Sequence, residues 1–277
     1  MTDTASADAL DVCVAAARAG GLVLRDWLGR FAVTEKGARD FVTEADFASQ
    51  REIRRVVGEA FPAHGFVGEE ADDGRPRPPA GAPGHSGAGV RWIVDPLDGT
   101  TNYIHGFPAW CVSVALCDGD EIIVGAIHDP LRDECFTARR GGGAWLDGRP
   151  LRTPRVTDLG AAVAAVSFPP RVTAASPAMA DFVAVVPHVQ AVRRTGSTAL
   201  NLAWMADGRL HAFWARQVAC WDVAAGLLVL REAGGAVGPF AAGSGVDGAI
   251  RLDDPAFVAA STPELLTALR GTLAPAR

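Results

Sequence analysis

The sequence predicts a mixed α/β protein, α+β in character over its first half, and three patterns carry that prediction. Apolar residues recur at helical spacing in two segments near the N-terminus. Between residues 110 and 153, β-branched and apolar runs are broken by Asp118-Gly119-Asp120, Gly141-Gly142-Gly143 and Asp147-Gly148, the punctuation of antiparallel hairpins. After Pro154 strand-like and helix-like segments alternate, which suggests helices covering a sheet.

In chain order, residues 7–31 read as an amphipathic helix. Residues 43–61 read as a second, with Phe47, Ile53, Val57 and Phe61 on one face. Thr43 is its natural N-cap, and Asp46 follows three positions later. A short strand is expected at 65–67, followed by a surface loop over 73–89, which is dominated by Gly, Pro and Ala. The apolar strand 91–94 is expected to end near Pro96, because proline cannot donate to a sheet ladder. The alternating part reads as strand 161–168, a helix within 178–186, strand 191–194, helix 197–206, strand 210–215 and helix 221–233. No internal repeat and no freeing linker interrupts the chain. The organisation expected is an N-terminal half, 1–155, and a C-terminal half, 156–277, packed as one catalytic unit.

Composition narrows the function. With 277 residues, 49% of them hydrophobic, the chain can bury a large core. A formal net charge of -6 and the lack of a basic stripe argue against a nucleic-acid partner. The five cysteines are scattered, without the paired short spacings of a zinc site, and read as reduced thiols. Residues 1–10 carry no basic stretch ahead of an apolar one, and no apolar run reaches the roughly 20 residues needed to span a bilayer. A cytoplasmic protein without a membrane partner is expected.

The most informative run is Trp92-Ile93-Val94-Asp95-Pro96-Leu97-Asp98-Gly99-Thr100-Thr101-Asn102. An apolar strand delivers two carboxylates, three residues apart, onto a Gly-Thr-Thr turn. Hard divalent cations such as magnesium take oxygen ligands, commonly one or two carboxylates with water and substrate phosphate. Gly99 lets backbone approach a ligand closely, and the amides of Gly99, Thr100 and Thr101 would face a phosphate if a helix starts there.

The stretch 92–108, WIVDPLDGTTNYIHGFP, resembles the first signature of the inositol monophosphatase family of magnesium-dependent, lithium-sensitive phosphatases. Three further blocks resemble that family in its order: Asp40 to Asp46 (DFVTEAD), Gly68-Glu69-Glu70, and Trp221-Asp222-Val223-Ala224-Ala225-Gly226. The resemblance implies a layered α-β-α-β-α sandwich, with the active site between an antiparallel-rich half and an α/β half. It also implies a homodimer.

The resemblance assigns roles residue by residue. Glu69, Asp95, Asp98, Asp222 and the carbonyl of Leu97 would hold two or three magnesium ions, with Glu70 in support. Asp46 and Thr100 would orient and deprotonate the attacking water, making Asp46, Thr100 and Glu69 the catalytic set. Asp98, Gly99 and Thr100, with Gly196, Ser197, Thr198 and Asp222, would contact phosphate or substrate, and Lys36 matches a lysine on a mobile loop. Each assignment has a plainer competitor. Glu69 and Glu70 suit a solvated turn, Asp46 a helix dipole, and Asp222 an N-cap. His105 is read as structural, and Trp92, Trp110 and Trp221 as core and wall.

The implied reaction is direct hydrolysis of a phosphate monoester without a covalent phosphoenzyme. One departure weakens the match to inositol-specific members. Seven residues before Asp222, where they carry a substrate-binding glutamate, stands Ala215, followed by Arg216, a residue suited to a second anionic group. The expected substrate is therefore a small polyol or sugar phosphate, inositol 1-phosphate first. Fructose 1,6-bisphosphate and histidinol phosphate are alternatives, with a non-enzymatic binding role more remote.

Overall fold

The computed structural model describes residues 3–37, 40–71, 89–240 and 250–273. The glycine- and proline-rich loop expected at 73–89 lies outside them except for Gly89. Helix α1 (Asp3–Trp27) is followed by a two-stranded antiparallel hairpin, β1 (Val33–Gly37) and β2 (Asp40–Thr43). Helix α2 (Glu44–Ala60) starts at Thr43, whose hydroxyl accepts the Ala45 N–H, while Asp46 accepts the Thr43 N–H. This reciprocal cap fixes where the helix begins.

A seven-stranded sheet follows in the order β3 (Gly65–Gly68), β4 (Val90–Asp98), β5 (Cys111–Asp118), β6 (Glu121–Asp129), β7 (Glu134–Arg139), β8 (Gly143–Leu146) and β9 (Arg149–Pro150). Only β3 and β4 pair in parallel; the remaining neighbours are antiparallel, as the hairpin punctuation predicts. Strand β4 does not stop at Pro96. It continues to Asp98 through a register shift in which Asp95 opposes Ser113 and Asp98 opposes Cys111. The irregularity removes the proline from the ladder, the setting in which a sheet tolerates one.

Helix α3 (Thr100–Ile104) interrupts β4 and β5. The second sheet has five strands in the order β11 (Ala191–Arg193), β10 (Val163–Ser167), β12 (Ala212–Ala215), β14 (Phe257–Ala260) and β13 (Ala236–Gly238). Its helices are α4 (Pro177–Val185), α5 (Thr198–Ala206), α6 (Cys220–Glu232) and α7 (Pro263–Thr272).

Three apolar clusters stack these elements. The first joins α1 and α2 to one face of the large sheet through Ala16, Ile53, Trp92, Val94 and Val114. The central one packs the opposite face, through Ile93, Ala115 and Ile127, against α5 and α6, and these against Phe213 and Phe257 of the small sheet. The third covers the outer face of the small sheet with α4 and α7 through Val185, Leu265 and Leu269. The result is the α-β-α-β-α layering expected. Among the described residues no helix is long and apolar enough to cross a membrane.

Candidate active site

Strand β4 ends where the two sheets' helices meet, and this junction gathers the acidic residues. Gly99 takes φ 99° as the N-cap of α3, and a Cβ there would lie 2.8 Å from the Ala109 carbonyl oxygen. Only glycine makes that corner without strain. It turns the chain at once from Asp98 to Thr100, so one short segment presents Asp95, Asp98 and the first turn of a helix.

Asp95 is 1% exposed and accepts the Leu97 N–H at 3.0 Å. Burial holds its carboxyl well above the usual range, and the charges of Glu69, Asp98 and Asp222 push it the same way. Asp222 is raised for the same reasons, first burial, then Asp98 and Glu69. It lies in the first turn of α6 and accepts the Ala219 N–H at 2.7 Å. The capping role named as its competitor is therefore present, in the third helical position rather than at the cap itself, and the carboxylate still stands beside Asp95 and Asp98.

Asp98 is seated against the N-terminus of α5. Its carboxylate accepts the Ser197 hydroxyl at 2.6 Å, the Ala199 N–H at 2.6 Å and the Thr198 N–H at 3.2 Å. Burial pushes it up to about 6 against the lowering effect of these donors. Ser197 is thus spent on Asp98, whereas Gly196 and Thr198 line a pocket together with Ser167, Phe168, Arg194 and Asp222.

Glu69 follows the end of β3. Lys36, only 10% exposed, donates to Glu69 at 3.1 Å and also to Glu70. Burial would lower the lysine's pKa, but the two carboxylates more than offset it and raise the group. Glu70 is pushed up to about 8 by burial and by Glu69. Lys36 therefore sits in a strand of the β1–β2 hairpin, clasped to the acidic pair.

Asp46 and Thr100 do meet. The Thr100 hydroxyl lies 3.3 Å from Asp46 Oδ1 and 3.1 Å from the Leu97 carbonyl, its one hydrogen available to either. Asp46 is fully buried, and burial raises it to about 7 although the Thr43 hydroxyl donates to it at 2.6 Å. Arg216 does not face the site as a free anion binder. It pairs through both Nε and Nη2 with the buried Asp181 of α4 and stacks 4.1 Å from the Phe240 ring centroid. Asp181 lies 35 residues away in sequence, so nothing local announced the pair. Ala215 is fully buried in the central core. Arg194 is the guanidinium that lines the pocket.

The Asp181 pairing gives an expected result: Asp181→Ala costs about 3 kcal/mol in a urea melt, because it takes from a largely buried guanidinium the buried carboxylate that binds two of its nitrogens. A stability unchanged from wild type would show that Arg216 is not held there.

Sequence reasoning also missed Ser49, Gln50 and Asn102. Asn102 donates to the carbonyls of Ala109 and Thr195 at 2.6 and 2.8 Å, tying α3 to the turn that carries Gly196. The signal that marks Ser49 and Gln50 is their spacing, four and three residues before Ile53, which puts polar side chains in line with the helix's apolar stripe.

Among the described residues no three Asp, Glu, His or Cys side chains converge closely enough to hold an ion as they stand. Each carboxylate is instead turned to a local donor or to Lys36. The donor set nevertheless fits a hard divalent cation: it is all oxygen, it is largely buried, and Lys36 is the one cation hydrogen-bonded to it among the described residues. Burial of these carboxyls, reinforced by the charge of Glu69, dictates a pH dependence. Asp98, Asp46 and Glu70 have folded values near 6, 7 and 8, above the ordinary carboxylate range. Their contribution to stability is complete below about pH 4 and is lost as pH rises through those values. In EDTA the melting temperature should fall between pH 5 and 8.5; a flat or rising profile contradicts this electrostatic account.

The profile of the inositol monophosphatase family matches residues 6–273. An inositol-1-monophosphatase of Rhizobium meliloti is 41% identical over 221 residues, covering 79% of this chain and 80% of its own. A protein of Xylella fastidiosa named Nus factor SuhB is 38% identical over 250 residues, covering 89% and 86%. The crystal structure of the extragenic suppressor protein SuhB from Bartonella henselae superposes with a TM-score of 0.85 at 33% identity, covering 98% of this chain and all of that one. With the layered fold and the acidic junction at the end of β4, these matches settle the ancestry: the chain belongs to the inositol monophosphatase family.

Proposed function

We propose that the protein is a magnesium-dependent phosphate monoester hydrolase acting on a small polyol or sugar phosphate, with inositol 1-phosphate the first candidate. The observation that carries this reading is the grouping of Glu69, Asp95, Asp98 and Asp222 beside the Asp46–Thr100 pair. In it, the four carboxylates and the Leu97 carbonyl would hold two or three magnesium ions, with Glu70 supporting Glu69. Bound magnesium supplies charge to clamp the phosphate and to acidify the attacking water. The chain's own residues do the rest. Asp46 Oδ1 takes the proton relayed by the Thr100 hydroxyl, and the amides of Gly99 and Thr100 hold a phosphate oxygen. The leaving group would rest against Gly196, Thr198, Arg194 and Phe168. With no carboxylate at position 215, hydroxyl recognition falls to Thr198, Ser167 and Asp222.

We keep the division into halves at 155/156, the homodimer, lithium inhibition and a cytoplasmic location as parts of the same proposal. The test is phosphate release from inositol 1-phosphate, fructose 1,6-bisphosphate and histidinol phosphate, each with magnesium and with chelator. Release that needs magnesium and prefers one ester supports the reading and names the substrate. No release from any of them sinks it. The Nus factor name of the Xylella fastidiosa relative favours a second reading, a partner-binding role in transcription, which would then take its place.

A further inference from the structure

Helix α2 carries three buried polar residues on one face, Asp46, Ser49 and Gln50, exposed 0%, 0% and 4%. Spaced i, i+3 and i+4, they point the same way, and each reaches a different arm of the acidic junction. Asp46 meets Thr100. Ser49 donates its hydroxyl to the Pro96 carbonyl at 3.0 Å. Pro96 lies in the irregular part of β4, between Asp95 and Leu97, where the ladder pairs neither it nor Leu97. A buried carbonyl there needs a donor, and Ser49 provides it.

Gln50 clamps the other arm. Its Nε2 donates to the Glu70 carbonyl at 2.7 Å and its Oε1 accepts the Glu70 N–H at 3.0 Å. The side-chain amide thus does for Glu70 what a neighbouring strand would do. The approach is close enough that a Cβ on Gly68 would sit 2.1 Å from Gln50 Oε1. Gly68 therefore leaves the space in which the clamp closes.

We infer that Ser49 and Gln50 are positioning residues that hold the Asp95–Leu97 and Glu69–Glu70 arms in fixed register with Asp46, so that cation affinity depends on a helix that supplies no ligand. This inference rests on the magnesium-site reading above. Buried carboxylates repel one another without a cation, so the arms need a fixed frame if they are to stay near a common point. Outer partners that orient metal ligands commonly change affinity by about 10- to 100-fold when removed.

The experiment is calorimetric titration of magnesium into the purified, chelator-stripped full chain, comparing wild type with Gln50→Leu, Ser49→Ala and Gly68→Ala. Ile53→Val, which thins the core beside the same helix, is the control. The expected result is an apparent Kd weaker by about 10-fold or more in Gln50→Leu and Gly68→Ala, and by less in Ser49→Ala. Ile53→Val should keep the wild-type Kd even where its melting temperature drops as far. If Gln50→Leu does not fold, Ser49→Ala and Gly68→Ala carry the test. Wild-type Kd in the folded variants, or the same loss in Ile53→Val, overturns the inference alone. A wild-type protein that binds no magnesium overturns the metal-site reading and this inference with it.

Discussion

Asp95→Asn should abolish magnesium-dependent phosphate release and at the same time make the metal-free protein more stable. The two effects have one cause. Asp95 is 1% exposed, and Glu69, Asp98 and Asp222 all press on it with like charge. Its folded value is raised, so its contribution to stability is present below the ordinary carboxylate range and lost as pH rises. At pH 8 in EDTA, where the unfolded chain ionises this carboxyl freely, burying it among like charges is a cost. Asparagine has the same shape, still accepts the Leu97 N–H, and offers an amide hydrogen to Asp222, so replacing the charge should gain about 1 kcal/mol or more. With magnesium present the balance inverts, because the proposed site loses a ligand. Several kcal/mol of transition-state stabilisation then disappear, on the order of 10³-fold or more in rate. Paired measurements decide it: thermal melts with EDTA and with magnesium, and phosphate release. A variant that is less stable in EDTA yet keeps its magnesium-induced shift would refute the assignment of Asp95.

That double behaviour also explains which parts of the molecule the sequence could disclose. Residues whose chemistry is local were legible: Asp95, Asp98, Gly99 and Thr100 fall within six positions, and Thr43 with Asp46 forms a cap recognisable from spacing alone. Asp222 was placed by its tryptophan neighbour. Partners joined across the fold were not legible. Arg216 looked available for an anionic substrate because Asp181, which holds it, belongs to helix α4, 35 residues earlier in the chain. Lys36 resembled a residue of a mobile loop, and its clasp on Glu69 and Glu70 depends on a hairpin whose strands are largely polar. Pro96 argued for a strand end, and the register shift that accommodates it is a property of pairing with β5. The last strands, Ala236–Gly238 and Phe257–Ala260, were missed because alanine and glycine, which are depleted in strands, make up half or more of each.

The layered fold was different. Its strand-rich half and alternating half could be read from turn residues and periodicity, but the order of the layers could not. Two helices between the sheets, α5 and α6, were read as helices, but they are apolar nearly all round, so no single face shows what each packs against. Their burial on both faces follows only once the second sheet is in place, and that sheet combines strands from residues 163 to 260. The layering therefore came from the resemblance rather than from the pattern.

Asp46→Asn separates a catalytic aspartate from one that only caps a helix. As a cap, Asp46 accepts the Thr43 N–H and the Thr43 hydroxyl; asparagine retains one acceptor oxygen, so the loss should be about 1 kcal/mol. A purely structural Asp46 would therefore lower the melting temperature by a few degrees and leave kcat nearly intact. As the base served by Thr100, it must be ionised to take a proton. Burial raises it to about 7 in the metal-free protein, so activity should climb with pH across its acid limb, and neighbouring cations should move that limb lower. Asparagine cannot take the proton. The expected result is a fall of about 10²- to 10⁴-fold in kcat, with the acid limb gone and magnesium affinity close to wild type, since Asp46 is not among the proposed ligands. A kcat within a few-fold of wild type, with the acid limb kept, would return Asp46 to its role as a cap and leave the base to be sought elsewhere in the junction.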